Sequence, residues 1–378
     1  MRKSLLSLTL LAAALTACQN DDTDFSAYTS GDATSASVVR ITWTDSGASV
    51  SGDDNGYVSI SGTDVTVNTG SASDSLLLVL SGSCSDGSLL IYRQRKFGIR
   101  LDGLTLTNDD GPAINNQCGK SLYIECASGT TNTLTDGTAY AEQTIDQKGT
   151  LFSEGQIYFL GSGTLSVNGN YKNAIASDDY ITILGDITLN AATSTTGTNG
   201  IKANDGIFIL GGTTTVSVES DGGRGIRSEA QTVIGGGTTT ITTTGDCKIE
   251  TTDGITDTTS CACIKSDSLF TMTAGTLTVT STGDGGKGIN CSQNIEVSGG
   301  TLTATTTGSN DTGKPKAVKS DTGIIVSGGS FTASVRKSWA CDNGYESVDE
   351  SDQAANCVTI VGTPVTLSLA KKSVVIEF

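Results

Sequence analysis

The chain has 378 residues, with 40 acidic against 23 basic side chains and a net charge of −17. A surface this acidic repels nucleic acid and anionic bilayers, whose phosphates are met by clustered Lys and Arg. There is no histidine, which excludes Ser-His-Asp and Cys-His catalysis, HExxH zinc sites and a histidine proton shuttle.

Arg2 and Lys3, an apolar run from Leu5 to Leu15 too short to span a bilayer, and small Ala17 ahead of Cys18 read as an export signal over residues 1–17. Leu15-Thr16-Ala17-Cys18 resembles a bacterial lipobox, which implies that Cys18 carries lipid and inserts it into a bilayer. An ordinary cleaved signal ending at a cysteine is the alternative. The next residues, Gln19 to Asp24, resemble the acidic surface-export tag of Bacteroidota lipoproteins, implying the outer membrane or cell surface of a Gram-negative bacterium. Loss of Arg2 and Lys3 takes the charge to −19. Residues 18–38 read as a flexible tether.

Ten cysteines less Cys18 leave an odd number, so at least one thiol lies outside any intramolecular disulfide. Cys261-Ala262-Cys263 has no second cysteine pair and no histidine to complete a metal site. It reads as a disulfide partner or a buried thiol. Cys341 and Cys357 flank an acidic loop and are the best disulfide candidates.

Residues 39–335 carry a repeat. Ala174-Ile175-Ala176-Ser177-Asp178, Gly200-Ile201-Lys202-Ala203-Asn204 and Gly225-Ile226-Arg227-Ser228-Glu229 are followed by Cys263-Ile264-Lys265-Ser266-Asp267, Gly288-Ile289-Asn290-Cys291-Ser292 and Ala317-Val318-Lys319-Ser320-Asp321. Their central residues lie 26, 25, 38, 25 and 29 positions apart. The longest interval is one coil plus an inserted loop around Glu250 to Ser260. Each phrase leads into two alternating apolar stretches split by glycines, as in Ile207 to Val218, so a unit holds about three short strands. One unit cannot bury its own inner face; stacked units can. The architecture this dictates is all-β, a right-handed parallel β-helix with coils of about 25 residues. The Leu-x-x-Leu-x-Leu pattern of leucine-rich repeats is missing, and the glycine pairs lack the aspartate of calcium-binding nonapeptides. The last segment, 336–378, reads as a C-terminal β cap over the open end.

Stacking turns repeat positions into columns. One residue past each anchor stand Lys202, Arg227, Lys265 and Lys319, with Asn290 as a gap. Three past stand Asp178, Asn204 (with Asp205 beside it), Glu229, Asp267 and Asp321, with Ser292 as a gap. One reading is a structural ladder in which each cation neutralises neighbouring carboxylates. The other is a linear site, in which the cations meet an acidic polysaccharide and the oxygen-bearing column holds calcium. Asn170, Asp221 and Asp284, five residues before an anchor and beside glycines, read as turn residues or as further ligands. Trp43 and Trp339 occupy no repeating position, which disfavours an aromatic platform for neutral sugars.

Leu101-Asp102-Gly103-Leu104-Thr105-Leu106-Thr107-Asn108, Gly111-Pro112-Ala113-Ile114 and Gly129-Thr130-Thr131-Asn132-Thr133-Leu134-Thr135-Asp136-Gly137 resemble a bacterial carbohydrate-binding parallel β-helix family. That family is calcium-dependent, binds polygalacturonate and is similar in shape to pectate lyases. The resemblance runs from about residue 55 to 335 and implies a pectin-type ligand with bound calcium; it fixes no individual calcium ligand. A calcium-dependent polysaccharide lyase and a structural surface protein or adhesin are the competing readings. A lyase needs a base such as Lys202, Arg227, Lys265 or Lys319, and a solvated lysine keeps too high a pKa for that role.

Overall fold

The computed structural model describes residues 36–309 and 311–335, together with four strand segments at 341–342, 359–360, 366–371 and 375–376. Cys18, most of the tether, the Cys341–Cys357 pairing, Trp339 and most of the 336–378 segment lie outside the described residues. Every regular element described is a β-strand. The strands stack into a parallel solenoid of about 11 turns, as the repeat predicts.

One coil illustrates the plan. Asn199–Ala203 lies in a first wall, Gly206–Ile209 in a second and Thr213–Val218 in a third. The first wall is a 12-stranded sheet. The second and third walls belong to one 23-stranded sheet, because the long strands Ser75–Cys84 and Phe97–Asn108 bend through both. Alternation sends every second side chain inward, and register lines these up into apolar rows. Ile175, Ile201, Ile226, Ile264, Ile289 and Val318 form one row on the first wall, each wholly buried. Ile183, Ile209, Ile234, Met272, Val297 and Val326 form another on the second. The backbone of each coil thus bonds to the next while the interior is mainly apolar, which is why the pattern cannot be satisfied by one coil alone.

The glycines of the turn between second and third walls have a steric cause. Gly237 sits at φ +66°, and a Cβ there would lie 2.4 Å from the carbonyl oxygen of Gly212 in the coil below. Only glycine lets successive coils approach so closely at a left-handed turn.

Insertions leave the walls as hairpins or loops. The 38-residue interval contains an antiparallel hairpin, Lys248–Thr252 with Ile255–Thr259, turning through Asp253 and Gly254, both at positive φ. It stands clear of the solenoid, with Ile255 73% exposed. A second insertion, residues 137–148, separates the strand Thr131–Asp136 from Gly149–Ser153. At the amino-terminal end, Ala36–Thr44 pairs antiparallel with Gly47–Ser51 and parallel with Ser75–Cys84. Trp43 belongs to the core there, 1% exposed, its indole N–H donating to the Thr63 carbonyl at 2.9 Å.

Candidate ligand-binding corner

The turn from first to second wall repeats on every coil and carries the two polar columns. Register places Phe152, Ala176, Lys202, Arg227, Lys265, Asn290 and Lys319 in one outward line. Two residues later come Glu154, Asp178, Asn204, Glu229, Asp267, Ser292 and Asp321. The structure pairs the columns. Lys202 Nζ lies 3.0 Å from Glu229 Oε1 on the next coil and donates to Asn204 Oδ1 on its own. Arg227 reaches Asp267, which also receives Lys265 at 3.1 Å. Lys265 continues to Ser292 Oγ at 2.8 Å, and Lys319 pairs with Asp321. All four cations proposed as ligand contacts are therefore engaged by carboxylates. They are also the more buried partners: Lys265 is 18% exposed against 36% for Asp267. The corner presents carboxylate oxygens outward over an inner line of positive charge. Burial pushes the Asp267 carboxyl up, but the hydrogen bonds and charges of Arg227 and Lys265 outweigh it and hold it below the usual range.

The ladder ends in a denser cluster. Asp146, Glu154 and Asp178 bring carboxylate oxygens within 4.8 Å of one another, close enough to share one cation. Lys148 pairs with Asp178 and, at 2.6 Å, with Asp146, while its ammonium sits 5.4 Å from the centre of the Phe152 ring. Partial burial pushes Glu154 upward, and the charge of Asp178 adds to this against the pull of Lys148. Burial would lower the Lys148 ammonium, yet its bonds to Asp146 and Asp178 raise it above its ordinary value. Of the six residues read from sequence as metal ligands, Asp178 alone belongs to this trio. Asn204, Asp205, Glu229, Asp267 and Asp321 are spread along the ladder.

Beside the trio, the 137–148 insertion opens a cleft of about 370 Å³ lined by Tyr140, Tyr171, Lys172 and Lys148. The two tyrosine rings lie 5.0 Å apart, and the Lys172 ammonium sits 5.3 Å and 5.6 Å from their centres. Lys172 also donates to the Gln147 carbonyl at 2.7 Å. Burial and the neighbouring Asp136 charge push the Tyr140 hydroxyl upward, so it stays protonated and donates to Asp136 Oδ2. Sequence reasoning missed this cleft because its residues fall in an insertion and on no repeating position.

The corner preceding the first wall is built differently. Asp221 Oδ1 accepts the Asp246 N–H at 2.9 Å, Asp246 Oδ1 the Asp284 N–H at 2.7 Å, and Asp284 Oδ1 the Ser309 N–H at 2.8 Å. Asn170 donates its side chain to the Asp136 carbonyl at 2.7 Å. Asn170, Asp221 and Asp284 thus bind backbone across the coil boundary, as turn residues do. The Thr-Asn-Thr-Leu-Thr-Asp phrase has the same origin. Asn132, fully buried, accepts from the Gly103 and Leu104 amides and donates to the Thr164 carbonyl, joining three coils.

The thiols are structural. Cys84, Cys118, Cys126, Cys247, Cys261, Cys263 and Cys291 are free and buried. Burial pushes Cys126 and Cys263 up to about 12 and Cys261 and Cys291 to about 11, leaving them neutral and inert.

A solved structure of the polysaccharide lyase-like protein from C. thermocellum, a gadolinium derivative, superposes with a TM-score of 0.53 over 68% of this chain and 96% of that one. At 23% identity the likeness is one of fold. A carbohydrate-binding domain-containing protein of Acetivibrio thermocellus is 32% identical over 121 residues. That stretch is 30% of this chain and 42% of the relative, so the chain spans less than half the length of the relative it matches. The carbohydrate-binding domain-containing protein family matches residues 61–224 and 222–313, which is most of the solenoid, and the chain belongs to that family.

Proposed function

We propose that the protein binds an acidic polysaccharide of the polygalacturonate type, without cleaving it, as a surface lipoprotein anchored through Cys18. Membership of a carbohydrate-binding family supports a polysaccharide partner. The observation that carries the acidic class and the metal is the outward line of carboxylates ending at Asp146, Glu154 and Asp178. Two polyanions meet through a shared hard cation, and an all-oxygen donor set suits calcium. Asp146, Glu154 and Asp178 would hold that ion, with the Lys148 ammonium displaced from among them. Bound there, calcium supplies the positive charge that faces a uronate carboxylate. Tyr171, 38% exposed, and Lys172 offer an apolar face and a cation to the adjoining sugar.

The binding reading is favoured over a lyase by the state of the lysines. Proton abstraction needs a free neutral amine, and Lys202, Lys265 and Lys319, the lysines of the column, are each held in an ion pair with a carboxylate. The test is retardation of the soluble domain in gels containing polygalacturonate. Retardation that a chelator weakens supports the reading, and new ultraviolet absorbance from unsaturated products would turn it towards a lyase. Cys18→Ala is expected to abolish lipid labelling.

A further inference from the structure

The first coils carry the reverse of the acidic corner. At the same turn, before the regular repeat begins, a cleft of about 530 Å³ is lined by Arg93, Arg95, Lys96 and Lys120 against a single carboxylate, Asp74. Serine hydroxyls and two glutamines complete its walls. Four cations around one cleft stand out in a chain of net charge −17. Its volume falls within the roughly 300–1,000 Å³ of small-ligand sites.

The cleft is built rather than incidental. Arg93 is 4% exposed and serves as its frame. Its guanidinium donates to the Asp74 carbonyl at 2.5 Å, the Thr69 hydroxyl at 3.2 Å and the Arg95 carbonyl at 3.2 Å, fixing the 71–75 and 94–96 turns against each other. Arg95 and Lys120 stand at the rim, exposed, and neither makes an ion pair among the described residues. Asp74 adds a second requirement. Its Oδ1 accepts the Tyr57 hydroxyl at 3.1 Å, whereas Oδ2 is shielded from solvent with no hydrogen bond. An orphaned carboxylate oxygen calls for a donor. A ligand that satisfies both needs brings an anion for Arg95 and Lys120 and a hydroxyl for Asp74.

We propose that this cleft binds one anionic sugar unit directly, its carboxylate on Arg95 and Lys120 and a ring hydroxyl on Asp74, with no metal between. The assignment rests on the acidic-glycan reading and gives it a second, calcium-independent contact. Ser121 donates to Gln156 at 3.2 Å, and Gln156 donates to Asp179 on the acidic corner, so the two regions are joined along one turn. A chain seated in the cleft would run from direct ionic contact onto the cation-bridged carboxylates.

The experiment titrates the mature soluble chain with a galacturonate trisaccharide, the neutral galactose trisaccharide and sulfate, each in excess chelator. The expected result is binding of the uronate alone or most tightly, weakening with added salt. The combined variant Arg95→Gln, Lys96→Gln, Lys120→Gln is expected to lose at least about tenfold in affinity at unchanged melting temperature. Asp74→Asn, which keeps its backbone carbonyl for Arg93, is expected to weaken the uronate while leaving sulfate unchanged or tighter. Uronate binding that appears with calcium only, and equally in the triple variant, overturns the cleft and leaves the acidic corner standing. Equal binding of sulfate and uronate, both tightened by Asp74→Asn, overturns the sugar assignment. No binding of any acidic oligosaccharide, with or without calcium, overturns both readings.

Discussion

Lys202 crosses one coil boundary to Glu229, its ammonium 3.0 Å from Oε1, and so ties two turns of the solenoid at that corner. Arg227 repeats the step to Asp267. Asp267→Asn removes the carboxylate that receives both Arg227 and Lys265, and the expected loss at neutral pH is about 1 kcal/mol or less, since these groups are partly solvated. Because the folded Asp267 titrates below its unfolded value, its contribution is present above the ordinary Asp range near about 4 and fades as pH falls through the folded value. Urea melts of parent and variant are therefore expected to differ at pH 7 and to converge in acid. A difference that grows on acidification would contradict the pairing.

Lys148 is an internal counter-ion for three carboxylates. Lys148→Met keeps an unbranched side chain of similar length but removes the ammonium, and with it the contact over Phe152. The variant is expected to be less stable than the parent in chelator and to gain more from added calcium, read as a larger rise in melting temperature. Terbium luminescence is expected to report tighter ion binding in the variant. Equal responses in both proteins would mean that the trio does not take a cation.

Thr214 and Thr239 stack on each other in an inward row whose neighbours are Leu189 and Leu277, and both hydroxyls are buried without a hydrogen bond. Thr239→Val keeps the shape and removes the stranded polar atom. It is expected to stabilise by about 1 kcal/mol, seen as a higher urea midpoint at constant slope. A destabilised variant would show that the hydroxyl is satisfied in solution.

The seven buried cysteines are expected to resist a thiol reagent at pH 8 in the native protein and to react at once on unfolding. Fast labelling of Cys263 in the folded chain would contradict its complete burial and its titration near 12.

The repeat phrases made the solenoid legible, since an anchor such as Ile201 can be satisfied only by a like residue one coil away. The insertion around Glu250 was legible for the same reason, as the 38-residue interval too long for a coil, although the spacing predicts a loop and the structure makes it a hairpin. The columns were placed correctly and their chemistry left open, because pairing depends on side-chain reach across coils. Ala176 and Lys148 show why: the first coil's cation comes from the 137–148 insertion, not from the column. The basic cleft was missed because Arg93, Arg95, Lys96 and Lys120 precede the regular repeat, and only folding brings three turns to one place. A row of rings was missed likewise. Tyr123 and Tyr158 are in register at 5.1 Å, but Tyr180 joins from two positions earlier in its strand, so no spacing announces it.

Coil-by-coil pairing has an evolutionary consequence. Duplicating a unit such as residues 199–223 would insert a turn whose inner row and glycine corner already match both neighbours, so the fold would absorb the copy without redesign. The ion pairs are not self-contained, because the Lys202 of one unit needs the Glu229 of the next. Growth of this molecule by gene duplication is therefore buffered in its interior and constrained along a single edge, where each new unit must arrive with the right charge for its predecessor.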